Sequence, residues 1–76
     1  MENFDLQVGQ VWKHYKGGMY KILLLAKNVE EGDVVDMVVY QKVGETQPLT
    51  QSVGRFTETV HYEGKVVQRY EFISDN

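Results

Sequence analysis

Apolar and polar side chains alternate with a period of two along most of this chain, and glycine cuts the pattern at short intervals. Tyr20, Ile22, Leu24 and Ala26 fall on one side of an extended segment, with Met19, Lys21, Leu23, Leu25 and Lys27 on the other. Val35, Met37, Val39 and Val43 repeat the period against Asp36, Val38, Tyr40 and Lys42, with Gln41 interrupting the apolar set. Towards the C-terminus Val66, Tyr70 and Phe72 share one face, and Val67, Arg69, Glu71 and Ile73 the other. Valine, isoleucine, threonine and tyrosine dominate these runs, as half-buried strands prefer. A helix-period pattern is absent, which leaves few architectures open.

The breaks lie where turns belong. Gly17-Gly18 separates Val11–Lys16 from Met19–Lys27 as a tight hairpin, and Asn28–Asp33 reads as a solvated loop. Gly44–Gly54 is a longer connection carrying the single proline, Pro48. Glu63-Gly64-Lys65 forms a second tight turn between Thr57–Tyr62 and Val66–Ile73. One helical turn around Gln51–Arg55 is the only helix expected. The pattern predicts an all-β fold, a small five-stranded barrel of the SH3-like or OB-like kind, whose closure would remove exposed strand edges.

With 76 residues the chain is a single domain, its ends at Met1–Asp5 and Ser74–Asn76 expected to fray. A chain of this length buries only about 60% of its unfolded surface, so one core is marginal. The absence of cysteine excludes disulfides, thiolate-bound zinc, a cysteine nucleophile and a redox pair together. Stability must then come from a well-closed sheet, from oligomerisation, or from both. The acidic start lacks a signal-peptide layout, and the apolar run Ile22–Ala26 is too short to span a bilayer, so the expectation is a cytoplasmic protein without membrane contact. A net charge of −3 gives no basic footprint for duplex binding, which makes nucleic acid an unfavoured partner.

Against that acidic background, Val11–Ile22 concentrates a tryptophan, two tyrosines, a histidine and three lysines around Gly17-Gly18. Aromatic faces stack, ammonium groups attract anions, and glycines admit close backbone approach, so the segment reads as a binding surface. In strand geometry Trp12, His14 and Lys16 share one face, and Val11, Lys13 and Tyr15 the other. One reading is an anion site in which lysine and histidine hold phosphate while Trp12 or Tyr15 stacks on a base. The other is an ordinary amphipathic strand whose lysine stems cover core aromatics. Gly17-Gly18 lacks the longer glycine pattern and following helix of a nucleotide loop and reads as a hairpin turn. Tyr40 and Tyr62 fit a barrel wall.

Arg55 and Arg69 are the two guanidiniums, suited to bidentate contact with phosphate or carboxylate, with a cross-strand ion pair the plainer role for Arg69. The acids Glu30, Glu31, Asp33 and Asp36 do not follow a calcium-loop spacing and read as a solvated loop, so no metal or cofactor is expected. His14 and His61 have neither a nucleophile nor a carboxylate pattern beside them, and no catalytic activity is expected.

The run Val8-Gly9, Trp12-Lys13-His14-Tyr15-Lys16-Gly17 and Tyr20 resembles the signature of small bacterial and phage proteins catalogued as domain of unknown function sixteen fifty-three. Ala26, Val38-Val39-Tyr40-Gln41 and Gly64-Lys65 with Arg69-Tyr70 continue the resemblance, which covers roughly Val8–Ile73. The family's usual Trp-Val-Arg-Pro before a Met-Phe pair is altered: Pro48 follows Thr46-Gln47, and the connection to Arg55-Phe56 is longer. The resemblance implies an SH3-like barrel and supplies no activity; fold analogy does not carry function.

Taken together these residues suggest a non-catalytic module that binds or sequesters a small anionic ligand, such as a nucleotide-derived signal, as some phage anti-defence proteins do. The expected ligand-binding residues are Trp12, Lys13, His14, Tyr15, Lys16, Gly17, Tyr40, Arg55, Phe56 and Arg69. Because so small a domain encloses little volume, a pocket is expected between protomers of a homo-oligomer. The alternatives are a protein-interaction module with an aromatic groove for an extended or proline-rich peptide, and a single-stranded nucleic-acid binder.

Overall fold

The computed structural model describes residues 6–75. The sequence forms seven strands, β1 (Val11–His14), β2 (Met19–Glu30), β3 (Asp33–Lys42), β4 (Pro48–Ser52), β5 (Thr59–Tyr62), β6 (Lys65–Gln68) and β7 (Tyr70–Ser74), with one helical turn, α1 (Val53–Phe56). Five strands make an antiparallel sheet in the order β4-β3-β2-β1-β7, and β5 and β6 pair as a separate hairpin. The all-β class with a single helical turn is therefore correct. A five-stranded sheet is present, and two physical details raise the number of strands among the described residues to seven.

First, Pro48–Ser52 lies inside the stretch read as a connection, yet it pairs with β3 from Met37↔Ser52 to Gln41↔Pro48. A proline opening an edge strand loses no ladder hydrogen bond, so its presence did not exclude a strand. Second, the C-terminal run divides at Arg69. Lys65–Gln68 pairs with β5, whereas Tyr70–Ser74 pairs with β1. Arg69 is the corner: its N–H donates to Glu58 O at 3.0 Å, and its carbonyl accepts from Tyr15 N–H at 3.0 Å.

The turns also differ in detail. Asn28–Asp33 is not a loop, because β2 and β3 continue to the pair Glu30↔Asp33 and leave only Glu31 and Gly32 at the tip. Glu31 (φ 38°) and Gly32 (φ 94°) both have the positive φ of a type I′ hairpin, and Glu63 (φ 50°) and Gly64 (φ 79°) repeat it between β5 and β6. Between β1 and β2 the connection is Tyr15–Gly18, longer than the two-glycine turn expected.

A bulge at Leu23 corrects the predicted faces of β2. Ile22 pairs with Tyr40 and Leu24 with Val39, so Leu23 has no partner and the alternation shifts by one. Beyond the bulge Leu25 shares the inner face with Val38, while Leu24 and Ala26 turn outward with Val39 and Met37. The core consists of Leu6, Trp12, Ile22, Val38, Tyr40, Phe56 and Tyr70, flanked by Tyr20 and Val53. Ser52 caps α1 by accepting from Arg55 N–H at 3.1 Å, and this turn drives Phe56 into the centre of the core.

Candidate functional site

The structure divides the ten expected ligand-binding residues into two groups. Trp12, Tyr40 and Phe56 are core residues, with 2%, 6% and 0% of their surface exposed. The Phe56 ring stacks on Tyr70 at 4.1 Å and 5°, and meets Tyr40 edge-on at 5.3 Å and Trp12 at 5.6 Å. Trp12 Nε1 donates to Gln10 Oε1 at 3.2 Å. Stacking of a ligand base on Trp12 is thus unavailable, as are Tyr40 and Phe56 as platforms. Tyr70 donates its hydroxyl hydrogen to Tyr40 at 3.2 Å, and Tyr40 donates onward to Gln51 Oε1 at 3.2 Å. Burial, reinforced by the bond to Tyr40, raises the Tyr70 hydroxyl far above the ordinary phenol value, so it remains a donor.

The second group surrounds the β1–β2 loop, and here the His-Tyr-Lys-Gly segment acquires a structural meaning. His14 N–H donates to Gly18 O at 3.0 Å, and Gly17 N–H donates to His14 O at 2.8 Å. His14 Nδ1 accepts from Lys16 N–H at 3.1 Å, so its proton in the neutral state sits on Nε2. Gly17 has φ 106°, a conformation that a side chain would strain. The histidine side chain and the glycine therefore shape the loop. What they present is Tyr15, whose N–H is pinned to Arg69 O, and Lys16, whose ammonium lies 5.8 Å from the Tyr15 ring centre.

His14 is wedged among Tyr15 (4.6 Å), Tyr70 (5.0 Å) and Tyr20 (6.4 Å between ring centres). Burial first, and then the charges of Arg69 and Lys16, lower its pKa below the ordinary 6.5. The shift favours the neutral ring near pH 7, which makes His14 a weaker candidate than the lysines and arginines for holding a phosphate.

Both arginines are already engaged. Glu58 Oε1 accepts from Arg69 at 3.2 Å and lies 3.7 Å from Arg55 Nε. Arg69 is the more enclosed of the two, its side chain 22% exposed, and its buried Nε has no hydrogen-bond partner among the described residues. Lys13 projects from the opposite face of β1, across from Glu71 on β7.

An open cleft of about 360 Å³ lies beside the loop, lined by Tyr15, Tyr62, Val67, Gln68 and Glu71. Tyr15 and Tyr62 form its aromatic wall in an edge-to-face pair at 5.0 Å and 76°. Its one charged lining residue is the carboxylate of Glu71. Sequence reading did not gather this set, because β6 and β7 belong to different sheets and converge only through the Arg69 corner. The visible signal was the position of Tyr15 and Tyr62 next to glycine turns. Glu58, which pairs with both guanidiniums, carried no signal at all. Among the described residues no group of three acidic, histidine or cysteine side chains could hold a metal ion, and no helix is long and apolar enough to cross a membrane.

Residues 10–72 match the model of a family described as a protein of unknown function (DUF1653). The chain belongs to this family. The match contains the whole β1–β2 loop and every residue lining the cleft. No curated protein and no solved structure matches the chain.

Proposed function

We propose that this DUF1653 protein is a non-catalytic binding module whose Tyr15–Tyr62 cleft takes an extended peptide segment carrying a basic residue. The observation that supports this reading most is the composition of the cleft: two partly exposed tyrosines beside a carboxylate that makes no ion pair among the described residues. Tyrosine supplies rigid, amphipathic contact area with little rotamer entropy to lose, and suits proline or aliphatic side chains of an extended chain. Glu71 favours an arginine or lysine beside them, as does the net charge of −3.

A small anionic ligand is the second reading. It is favoured by the unpartnered Arg69 Nε and by Lys16 over the Tyr15 ring. It is weakened by the engagement of both arginines with Glu58, by the lowered pKa of His14, and by the burial of three of its expected contact residues.

The two readings separate in one assay. Fluorescence polarisation against a labelled pool of ten-residue peptides with a central arginine and a neighbouring proline should give saturable binding. Tyr62→Ala and Glu71→Gln should each weaken it about tenfold or more, the scale of one truncated interface anchor. Binding of ATP or cyclic dinucleotides, lost in Lys16→Ala and unaffected by Glu71→Gln, would overturn the peptide reading in favour of the anionic ligand.

A further inference from the structure

His14 closes the β1–β2 loop through its backbone and its side chain together. Its N–H donates to Gly18 O at 3.0 Å, its carbonyl accepts from Gly17 N–H at 2.8 Å, and its ring Nδ1 accepts from Lys16 N–H at 3.1 Å. The third bond is the unusual one. A side-chain acceptor that takes the N–H two residues on makes an Asx turn, which asparagine and aspartate form with an oxygen. Here a ring nitrogen stands in that place, and unlike the amide oxygen of asparagine it can take up a proton in mild acid.

The bond spans the residue that forms the wall of the cleft. Tyr15 lies between His14 and Lys16 in the chain, its ring 4.6 Å from the His14 ring and 32° from parallel with it. The same ring meets Tyr62 edge-on at 5.0 Å. The Tyr15 N–H is fixed to Arg69 O, so the chain beyond it depends on the Lys16 bond for its course.

Protonation removes the acceptor. An imidazolium carries a hydrogen on both nitrogens, so Nδ1 would confront the Lys16 N–H as donor against donor, and a ring flip offers no escape. Burial is the largest reason the ring resists that proton, and the charges of Arg69, at the corner before β7, and Lys16 add to it. Tyr20 of β2 and Tyr70 of β7 face the ring with their own rings at 6.4 Å and 5.0 Å, and Lys42 of β3 passes beside Gly18. Glu71 follows Tyr70 and stands across from Lys13, while Glu58 is taken up by Arg55 and Arg69. Among the described residues no carboxylate pairs with His14.

We infer that His14 is an acid-sensitive positioning residue for the cleft: its neutral ring latches Lys16 N–H and sets Tyr15 against Tyr62, and protonation releases the latch. The inference rests on the peptide reading only for its consequence in binding, because the loop change belongs to the free chain.

Proton–nitrogen spectra of the free protein from about pH 7.5 to about pH 5 test it without a ligand. At the upper end the His14 ring should carry its proton on Nε2. As the ring protonates, the amides of Tyr15, Lys16 and Tyr62 should shift with the same midpoint. His14→Asn, whose amide oxygen can take the place of Nδ1, should keep the loop and lose the titration. His14→Phe, which keeps a ring and lacks the acceptor, should lack the neutral-pH loop signals at every pH. Binding of the arginine- and proline-containing peptides, chosen without histidine or acidic residues, should weaken about tenfold over the same range in the wild type, the scale of one lost anchor. It should stay level in His14→Asn. A proton on Nδ1, or loop amides that stay still while the ring titrates, would overturn the inference, and so would a pH dependence of binding that survives in His14→Asn. The wild-type titration decides the matter by itself should a variant fail to fold by circular dichroism. A loop that titrates as described in a chain that binds no peptide at any pH would support the latch and refute the peptide reading.

Discussion

Phe56→Leu separates a core role from a ligand-contact role at a position that the sequence alone placed in a binding site. The phenyl ring is fully buried and meets three aromatic rings, Tyr70 at 4.1 Å, Tyr40 at 5.3 Å and Trp12 at 5.6 Å. Leucine retains most of the apolar volume and forfeits the ring–ring geometry. An aromatic pair is worth about 0.5–1.5 kcal/mol beyond its area, and a shape change in a core usually costs less than about 1.5 kcal/mol. Pairs that share one ring are coupled, so the three are not summed. A loss of about 2 kcal/mol follows, which at about 4–8 °C per kcal/mol lowers the melting midpoint by about 8–16 °C. The truncation Phe56→Ala would cost about 3–5 kcal/mol, comparable with the whole stability of a domain this small, and would leave much of the chain unfolded. The assay is thermal denaturation followed by near-ultraviolet circular dichroism, with peptide binding measured at a temperature where Phe56→Leu remains folded. The expected outcome is a lowered midpoint and undiminished binding. An unchanged midpoint with binding abolished would refute the core assignment.

Three further outcomes follow from the geometry. The lowered pKa of His14 means that the unfolded chain takes up a proton at its site before the folded chain does. Stability contributed here is present above the ordinary 6.5 and is lost as pH falls from that value through the lower folded pKa; urea titrations across this window should show the decline in the wild type and a smaller one in His14→Gln. Glu58→Ala removes the acceptor shared by two guanidiniums, one of them mostly enclosed, and should lower stability by about 1 kcal/mol in chemical denaturation, since half-exposed pairs are screened. Gly32→Ala places a side chain at φ 94° with open space around it, so the cost is conformational alone, about 1 kcal/mol or slightly more, visible as a lower denaturation midpoint.

The fold class and most strands were legible because half-buried strands announce themselves through a period of two, and glycine announces the turns. What escaped was set by neighbours remote in sequence. The Leu23 bulge inverts the faces of the second half of β2, yet nothing local distinguishes Leu23 from the leucines beside it. β4 is too polar to read as a strand and exists because β3 offers it an edge. The β6–β7 break at Arg69 depends on Glu58 and Tyr15, both distant in the chain.

The candidate site was legible by half. Tyr15, Lys16 and Gly17 lie in the loop that the sequence singled out, with His14 as its internal brace. Trp12 reads as a stacking platform, and Tyr40 and Phe56 as ligand contacts, because an aromatic residue in a sequence carries no mark of which way it faces. The cleft depends on Tyr62, Gln68 and Glu71 converging through tertiary structure. Likewise nothing in the sequence places Glu58 beside Arg55 and Arg69, although an ion pair is the plainer expectation for Arg69.

A proton–nitrogen correlation titration of the labelled protein with the arginine- and proline-containing peptide pool tests the binding account most directly. The account predicts shifts concentrated at Tyr15, Tyr62, Val67, Gln68 and Glu71, with the core amides of Ile22 and Val38 unmoved. Shifts confined to Lys16, Arg55 and Arg69, appearing with nucleotides and not with peptides, would contradict it.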